Sequence, residues 1–176
     1  MTGPRMDTRR LHLRPWSPCD VDPLHALWID PQVRRFLFDD VAISRDLAAE
    51  IVTAAVACAH ATGLTLCSLR RLETPGVIIG FAGLRWLDEA SRQPELIYGL
   101  AADHWGQGLA TEASQQVLAD GFLRLGLATI WATTDLPNLA SVKVMQRLGM
   151  SPADCPFAGE GLISYHIQRD DFRPFL

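Results

Sequence analysis

The segment His104-Trp105-Gly106-Gln107-Gly108-Leu109-Ala110-Thr111-Glu112-Ala113 places two glycines between a strand-like stretch and a helix-like one. Glycine at such a junction lets the main chain approach an anion closely. The first N–H groups of the helix then point at that anion, and the helix dipole adds to the attraction. Phosphate or pyrophosphate is the natural occupant, although the same glycines also suit a plain tight connection. An ATP/GTP P-loop is excluded, because it needs Lys and then Ser or Thr after its last glycine, where Leu109 and Ala110 stand. A dinucleotide fingerprint fits poorly, since Thr111 occupies the place of its third glycine. Asp135 does end the next strand-like stretch, where a ribose-binding acid would sit. That fold, however, opens with its βαβ units and needs several, and here the unit begins past the middle of the chain.

The elements that hold this loop follow from periodicity. Leu11 and Leu13 alternate with His12 and Arg14, which predicts a half-buried strand over 10–14, with Arg9, Arg10 and Arg14 on its exposed side. Ser17, Pro18 and Asp20 make a helix start, and the helix buries Val21, Leu24, Leu27 and Trp28. Asp30-Pro31 opens a short helix with Val33 and Phe36. Ser44 caps a longer one whose buried face is expected to be Leu47, Ile51, Ala54, Ala55 and Cys58, ended by Gly63. Strands over 64–72 and 77–86, with Pro75-Gly76 between them, predict an antiparallel hairpin. A strand over 95–101 leads into the glycine loop. A helix over 109–125, a strand over 129–134, a helix over 141–148 and a last strand over 161–168 follow. The strand–loop–helix–strand unit predicts a right-handed parallel crossover within an otherwise antiparallel α/β (α+β) arrangement.

At 176 residues the chain suits one domain over 1–176, long enough to bury a core without disulfides or metals. Apolar residues at 48% and charged residues at 20% describe an ordinary globular protein. A formal net charge of -4 argues against nucleic acid as the main partner. Cys19, Cys58, Cys67 and Cys155 form no CxxC pair and read as reduced thiols of a cytoplasmic protein, with Cys58 and Cys67 filling core space. No signal peptide is read at the N-terminus, and no stretch approaches the roughly 18 apolar residues of a membrane span. No His or Cys spacing suggests a metal, so none is expected. Trp28, Trp86 and Trp131 read as core aromatics.

Trp105-Gly106-Gln107-Gly108-Leu109-Ala110-Thr111-Glu112-Ala113 resembles the acyl-CoA loop of the GNAT superfamily of N-acetyltransferases, in the form used by its RimJ/RimL-type ribosomal-protein-alanine N-acetyltransferases. The resemblance spans nearly the whole chain. Thr8 to Trp16 looks like the subgroup's opening strand, Ile79-Gly80-Phe81-Ala82-Gly83-Leu84 its third-strand signature, and Glu95-Leu96-Ile97-Tyr98 its fourth, with Ile97 in place of a usual glycine. Asn138-Leu139-Ala140-Ser141 and Arg147-Leu148-Gly149-Met150 resemble its later motifs. The resemblance implies a GNAT fold: a mixed, mostly antiparallel sheet with a βαβ acyl-CoA-binding unit and helices on both faces. It implies acetyl-CoA as cosubstrate and, as acceptor, a protein N-terminal amine or a small-molecule amine. Dimerisation is a further family expectation. The pantetheine arm would insert between splayed strands and bond main-chain groups around Tyr98, Leu100 and Ala101. The N–H groups of Trp105, Gly106, Gln107, Gly108, Leu109 and Ala110, with Thr111 next in the motif, would hold the pyrophosphate. Asn138 and Ser141 would lie near the thioester.

The implied reaction is attack of a neutral amine on a thioester. An alkyl amine with a pKa of around 10 is mostly protonated near neutrality, so a base is useful. The leaving thiolate needs only a weak acid. Many superfamily members supply a Tyr from the helix after the Asn. Here the matching residue is Met145, which cannot donate, so Ser141 becomes the candidate acid, with helix capping as its alternative role. Glu95 is the candidate base by its match to the subgroup's Glu. Asp135, Glu160, His104 and His166 are alternatives, and a main-chain N–H near Leu100 would stabilise the oxyanion. Two other functions stay open: a non-catalytic acyl-CoA sensor, which the absent Tyr favours, and a dinucleotide-binding oxidoreductase.

Overall fold

In the computed structural model, which describes residues 4–88, 90 and 92–174, one sheet organises the chain. Its strands are β1 (Met6–Asp7), β2 (Leu11–Pro15), β3 (Leu66–Arg71), β4 (Gly80–Asp88), β5 (Gln93–Leu100), β6 (Thr129–Asp135), β7 (Ser151–Pro152) and β8 (Leu162–Gln168). They lie in the order β1-β2-β3-β4-β5-β6-β8-β7. Neighbours pair antiparallel except β5 and β6, which run parallel, as the strand–helix–strand reading expects. The short strands β1 and β7 carry too few residues for a periodic signal. The α/β class and the mostly antiparallel sheet are as expected.

Among the described residues, five α-helices cover the two faces: α1 (Val21–Trp28), α2 (Pro31–Arg34), α3 (Arg45–Thr62), α4 (Leu109–Ala119) and α5 (Leu139–Arg147). The chain enters α1 through a single 3-10 turn that starts with a capping box. Ser17 N–H and Oγ both bond Asp20 Oδ2, and Arg70 neutralises the other oxygen of this buried acid at 2.8 Å. Ser44 caps α3 by accepting from Leu47 N–H, and Gly63 ends it in the left-handed conformation.

The buried face of α3 differs from the expected one. Ala48, Val52 and Ala59 point inward, while Leu47 is 41% exposed. Apolar residues surround most of this helix, so periodicity left its rotation undetermined. Ala48, at 0% exposure, supplies the small side chain that lets the helix sit close. The helix predicted over 109–125 is α-helical only to Ala119 and finishes in a π turn over Asp120–Arg124. The last helix begins at Leu139, earlier than expected, because Asn138 caps it rather than Ser141.

Two apolar cores flank the sheet. One joins Leu11, Leu13, Leu96 and Ile130 with Leu109, Ala113 and Leu118 of α4 and Met145 of α5. The other packs Trp16, Trp28 and Phe81 edge to face under α1 and α3. Cys67 fills core space as expected; Cys58, Trp86 and Trp131 are only half-buried. A Cβ on Gly99 would stand 2.6 Å from the Phe81 ring, so glycine there lets the aromatic core close directly on β5.

Candidate active site

The site is built on a fork. Among the described residues, β5 and β6 share one register pair, Glu95 with Trp131. Beyond it the strands part. Ala101 N–H bonds Ile79 O at 2.9 Å on the β4 side. Main-chain direction alternates along a strand, so the N–H and C=O groups of Tyr98 and Leu100 point the other way, into the gap. Trp105 crosses back to this edge, its indole N–H donating to Leu100 O at 2.7 Å.

A cavity of about 400 Å³ opens at the fork. Its walls are the ends of β5 and of the glycine loop, the first turn of α4, one side of α5, and residues around α2 such as Val33 and Phe36. Of the residues singled out in the sequence, Tyr98, Leu100, Trp105, Gly106, Gly108, Leu109, Ala110, Thr111, Asn138 and Ser141 line it. Ala101, Gln107 and Glu95 do not. Ala101 spends its N–H on β4. Gln107 turns its side chain away, to Asp103 O at 3.1 Å and Arg71 at 3.0 Å.

The loop has the conformation an anion site needs. Gly106 and Gly108 sit at φ 71° and 74°, where any other residue is strained, and Gly108 starts α4 without a side-chain cap. Among the described residues, no atom beyond the two chain neighbours lies within 4 Å of a Cβ built on Gly106. Thr111, in the first turn, has a buried hydroxyl with no hydrogen-bond partner among the described residues. A buried donor left this way is costly unless a ligand meets it. The donor-rich end of α4, the open backbone and this hydroxyl fit a phosphate group.

The Glu of the motif braces the loop from behind. Glu112 accepts from Thr8 Oγ1 at 2.6 Å, Arg10 N–H at 2.8 Å and Arg10 Nε at 2.7 Å, while Arg10 also donates to Gln107 O at 2.9 Å. Burial works to raise the Glu112 carboxyl, but the bonds from Thr8 and Arg10 prevail and hold it below the usual range. Arg10, read as merely exposed on its strand, thus fixes the loop from across the fold.

At the other end of the cavity, Asn138 ties α5 to β6. Its Oδ1 accepts from Ser141 N–H at 3.2 Å and its Nδ2 donates to Thr134 Oγ1 at 3.0 Å. Ser141 is therefore free of the capping role. Its Oγ lies 2.8 Å from the Tyr98 hydroxyl, which also reaches Ser141 O at 3.1 Å. Burial raises Tyr98 to about 12, opposed by the Ser141 bond, so the phenol keeps its proton at any ordinary pH. Sequence reasoning gave Tyr98 only a main-chain role. Its alternation with Leu96 and Leu100 on the α4 side of β5 was the available signal. Met145 is fully buried.

Glu95 sits at the foot of the fork, on the opposite face of β5 from Leu96, and is 1% exposed. Arg85 Nε is 2.8 Å from one carboxylate oxygen and Thr133 Oγ1 donates to the other. With Trp131 Nε1 donating to Gln93 Oε1 at 3.0 Å, Glu95 links β5 to β6 where they last touch. Of the alternatives, His104 lines the cavity, Asp135 ends β6, Glu160 is exposed ahead of β8, and His166 packs on the Trp131 ring.

Comparison with known proteins gives this site its class. The Acetyltransferase (GNAT) domain family matches residues 10–151. The chain is 30% identical over 160 residues to p20 of Bacillus licheniformis, an uncharacterized N-acetyltransferase, covering 89% of this chain and 83% of that one. Its fold matches an acetyltransferase from Agrobacterium tumefaciens with a TM-score of 0.83 at 22% identity, over 96% of both chains. It also matches a RimL ribosomal alpha-N-protein acetyltransferase solved in complex with coenzyme A, with a TM-score of 0.75 at 15% identity over 94% and 96% of the chains. The chain belongs to the GNAT acetyltransferase family and is an N-acetyltransferase.

Proposed function

We propose that the protein transfers the acetyl group of acetyl-CoA to a primary amine, either a protein N-terminus in the RimJ/RimL manner or a small molecule. The observation that carries this reading is the single cavity wall shared by three features: an uncapped helix start with two left-handed glycines, an unpartnered Thr111 hydroxyl, and a strand edge with main-chain groups turned into the gap. The first suits a pyrophosphate, and the last suits an amide-bearing arm.

Acetyl-CoA supplies an activated thioester. The N–H groups from Gly106 to Ala110, with Thr111 Oγ1, hold the pyrophosphate; Trp105 N–H, expected among them, is spent on Ala102 O at 3.0 Å. Main-chain groups of Tyr98 and Leu100 orient the arm, and an N–H of this edge stabilises negative charge on the thioester oxygen. Ser141, held by Tyr98, gives its proton to the departing sulfur. This hydroxyl pair takes the place of the donor that Met145 cannot be, and so favours turnover over a silent sensor. Glu95 is the base only if the amine reaches it through Thr133 or a water; without that path, holding the acceptor in position carries the rate.

The test is calorimetric titration with acetyl-CoA, followed by thiol release over an amine panel. Wild type should bind at micromolar strength. Gly108→Glu, which adds bulk and negative charge at a left-handed position, should lose at least roughly 100-fold in affinity. No binding by folded wild type sinks the reading. Binding with no turnover on any amine leaves the sensor.

A further inference from the structure

Fifteen of the 16 Lys and Arg residues in this chain are arginines; Lys143 is the single lysine. It projects from α5 into the cavity wall, together with Arg147 one turn later. Eight arginines elsewhere are ion-paired. Among the described residues, neither Lys143 nor Arg147 has an acidic or hydrogen-bonding partner. α5 itself, with the sequence LASVKVMQR, contains no acid. Like charges four residues apart on a helix repel. Arg147 is partly offset by its place in the last turn, near the negative end of the helix dipole. Lys143, in mid-helix, has no such compensation.

The cavity thus has two separate positive stations. One is the main chain at the start of α4, which suffices for a pyrophosphate. The other is a pair of side-chain cations on the wall that α5 provides, surplus to that need. On the acyl-CoA reading, on which this inference rests, the ligand brings one more phosphate: the monoester on the 3′ position of its ribose, a dianion near neutral pH. We propose that Lys143 and Arg147 bind this 3′-phosphate and make the protein select CoA over 3′-dephospho-CoA. Arg147 offers a planar fork of donors and Lys143 a point charge on a flexible stem, and both suit a terminal phosphate.

The experiment is calorimetric titration of wild type and of a Lys143→Gln/Arg147→Gln double variant with CoA and with 3′-dephospho-CoA. Wild type should bind CoA roughly 10- to 100-fold more tightly, as expected for one or two charge-assisted bonds. The double variant should bind both ligands with the dephospho-CoA affinity of wild type, which also shows that it is folded. Equal binding of the two ligands by wild type overturns the proposal, as does a double variant that keeps the full preference. If wild type binds neither ligand, the acyl-CoA reading falls and this inference goes with it. Amidination with methyl acetimidate, read by peptide mass spectrometry, gives a check without any variant, because only one side-chain amine exists. Saturating CoA should slow modification at Lys143 several-fold more than saturating 3′-dephospho-CoA; equal protection overturns the assignment.

Discussion

Ser141 and Tyr98 come from α5 and β5, far apart in the chain, and meet through a 2.8 Å contact at the cavity wall. The phenol has one proton for two acceptors, Ser141 O at 3.1 Å and Ser141 Oγ at 2.8 Å; when it points to the nearer Oγ, the serine proton is left free to face the cavity. Ser141→Ala should then lower kcat by about 10- to 100-fold, the low end for a general acid because a thiolate needs little help. Tyr98→Phe should cost about 10-fold, the value of one orienting bond, with KM nearly unchanged. An effect on KM alone in either variant would assign the pair to binding instead. Since burial keeps Tyr98 protonated up to about pH 12, activity should rise with pH as the amine loses its proton, with no falling limb from Tyr98 below that value. Ser141 was legible from its motif. The partner on β5 was not, because hydrogen bonds between distant segments leave no local spacing to read.

The fork between β5 and β6 depends on what happens at its foot. Glu95 accepts from Thr133 across the strands and is clamped by Arg85. Glu95→Gln keeps an acceptor for Thr133 and a side chain of equal length, whereas Glu95→Leu removes both bonds. If Glu95 mainly fixes the fork, Gln should keep most activity, and Leu should weaken acetyl-CoA binding and lower the Tm. If it is the base, Gln should lose about 100-fold in kcat with binding intact. Paired kinetics and calorimetry separate the two. At this scale the sequence was a good guide where periodicity and turn chemistry agree, as in the strand–loop–helix unit and the Pro75-Gly76 connection. It misjudged the rotation of α3, whose alanines surround the axis, and the start of α5, where Asn138 and Ser141 are equally good caps on composition and only the fold decides.

At the scale of the whole molecule, the core on the α4 side buries two groups that titrate at high pH. Burial pushes the Cys67 thiol from 9.0 to about 12 and the Tyr98 phenol from 10.0 to about 12. The folded chain holds both protons where the unfolded chain has released them. Their contribution to stability is therefore complete below about pH 9 and is lost as pH rises towards 12, each group contributing a slope of up to about 1.4 kcal/mol per pH unit. Urea unfolding at pH 8 and pH 10.5 should show lower stability at the higher value, and Cys67→Val should flatten the difference; a level profile in wild type would contradict this. The single register pair at Glu95 and Trp131 has a mechanical meaning too. It makes the sheet two ribbons, β1–β5 and β6–β8–β7, sharing a seam of one rung. A molecule threaded into that seam would bond the free main-chain edge of β5 and fill the space that separates the two ribbons. Amide exchange along β6 and β8 should therefore be fast relative to β3 and β4 in the free protein and should converge on theirs once the gap is filled.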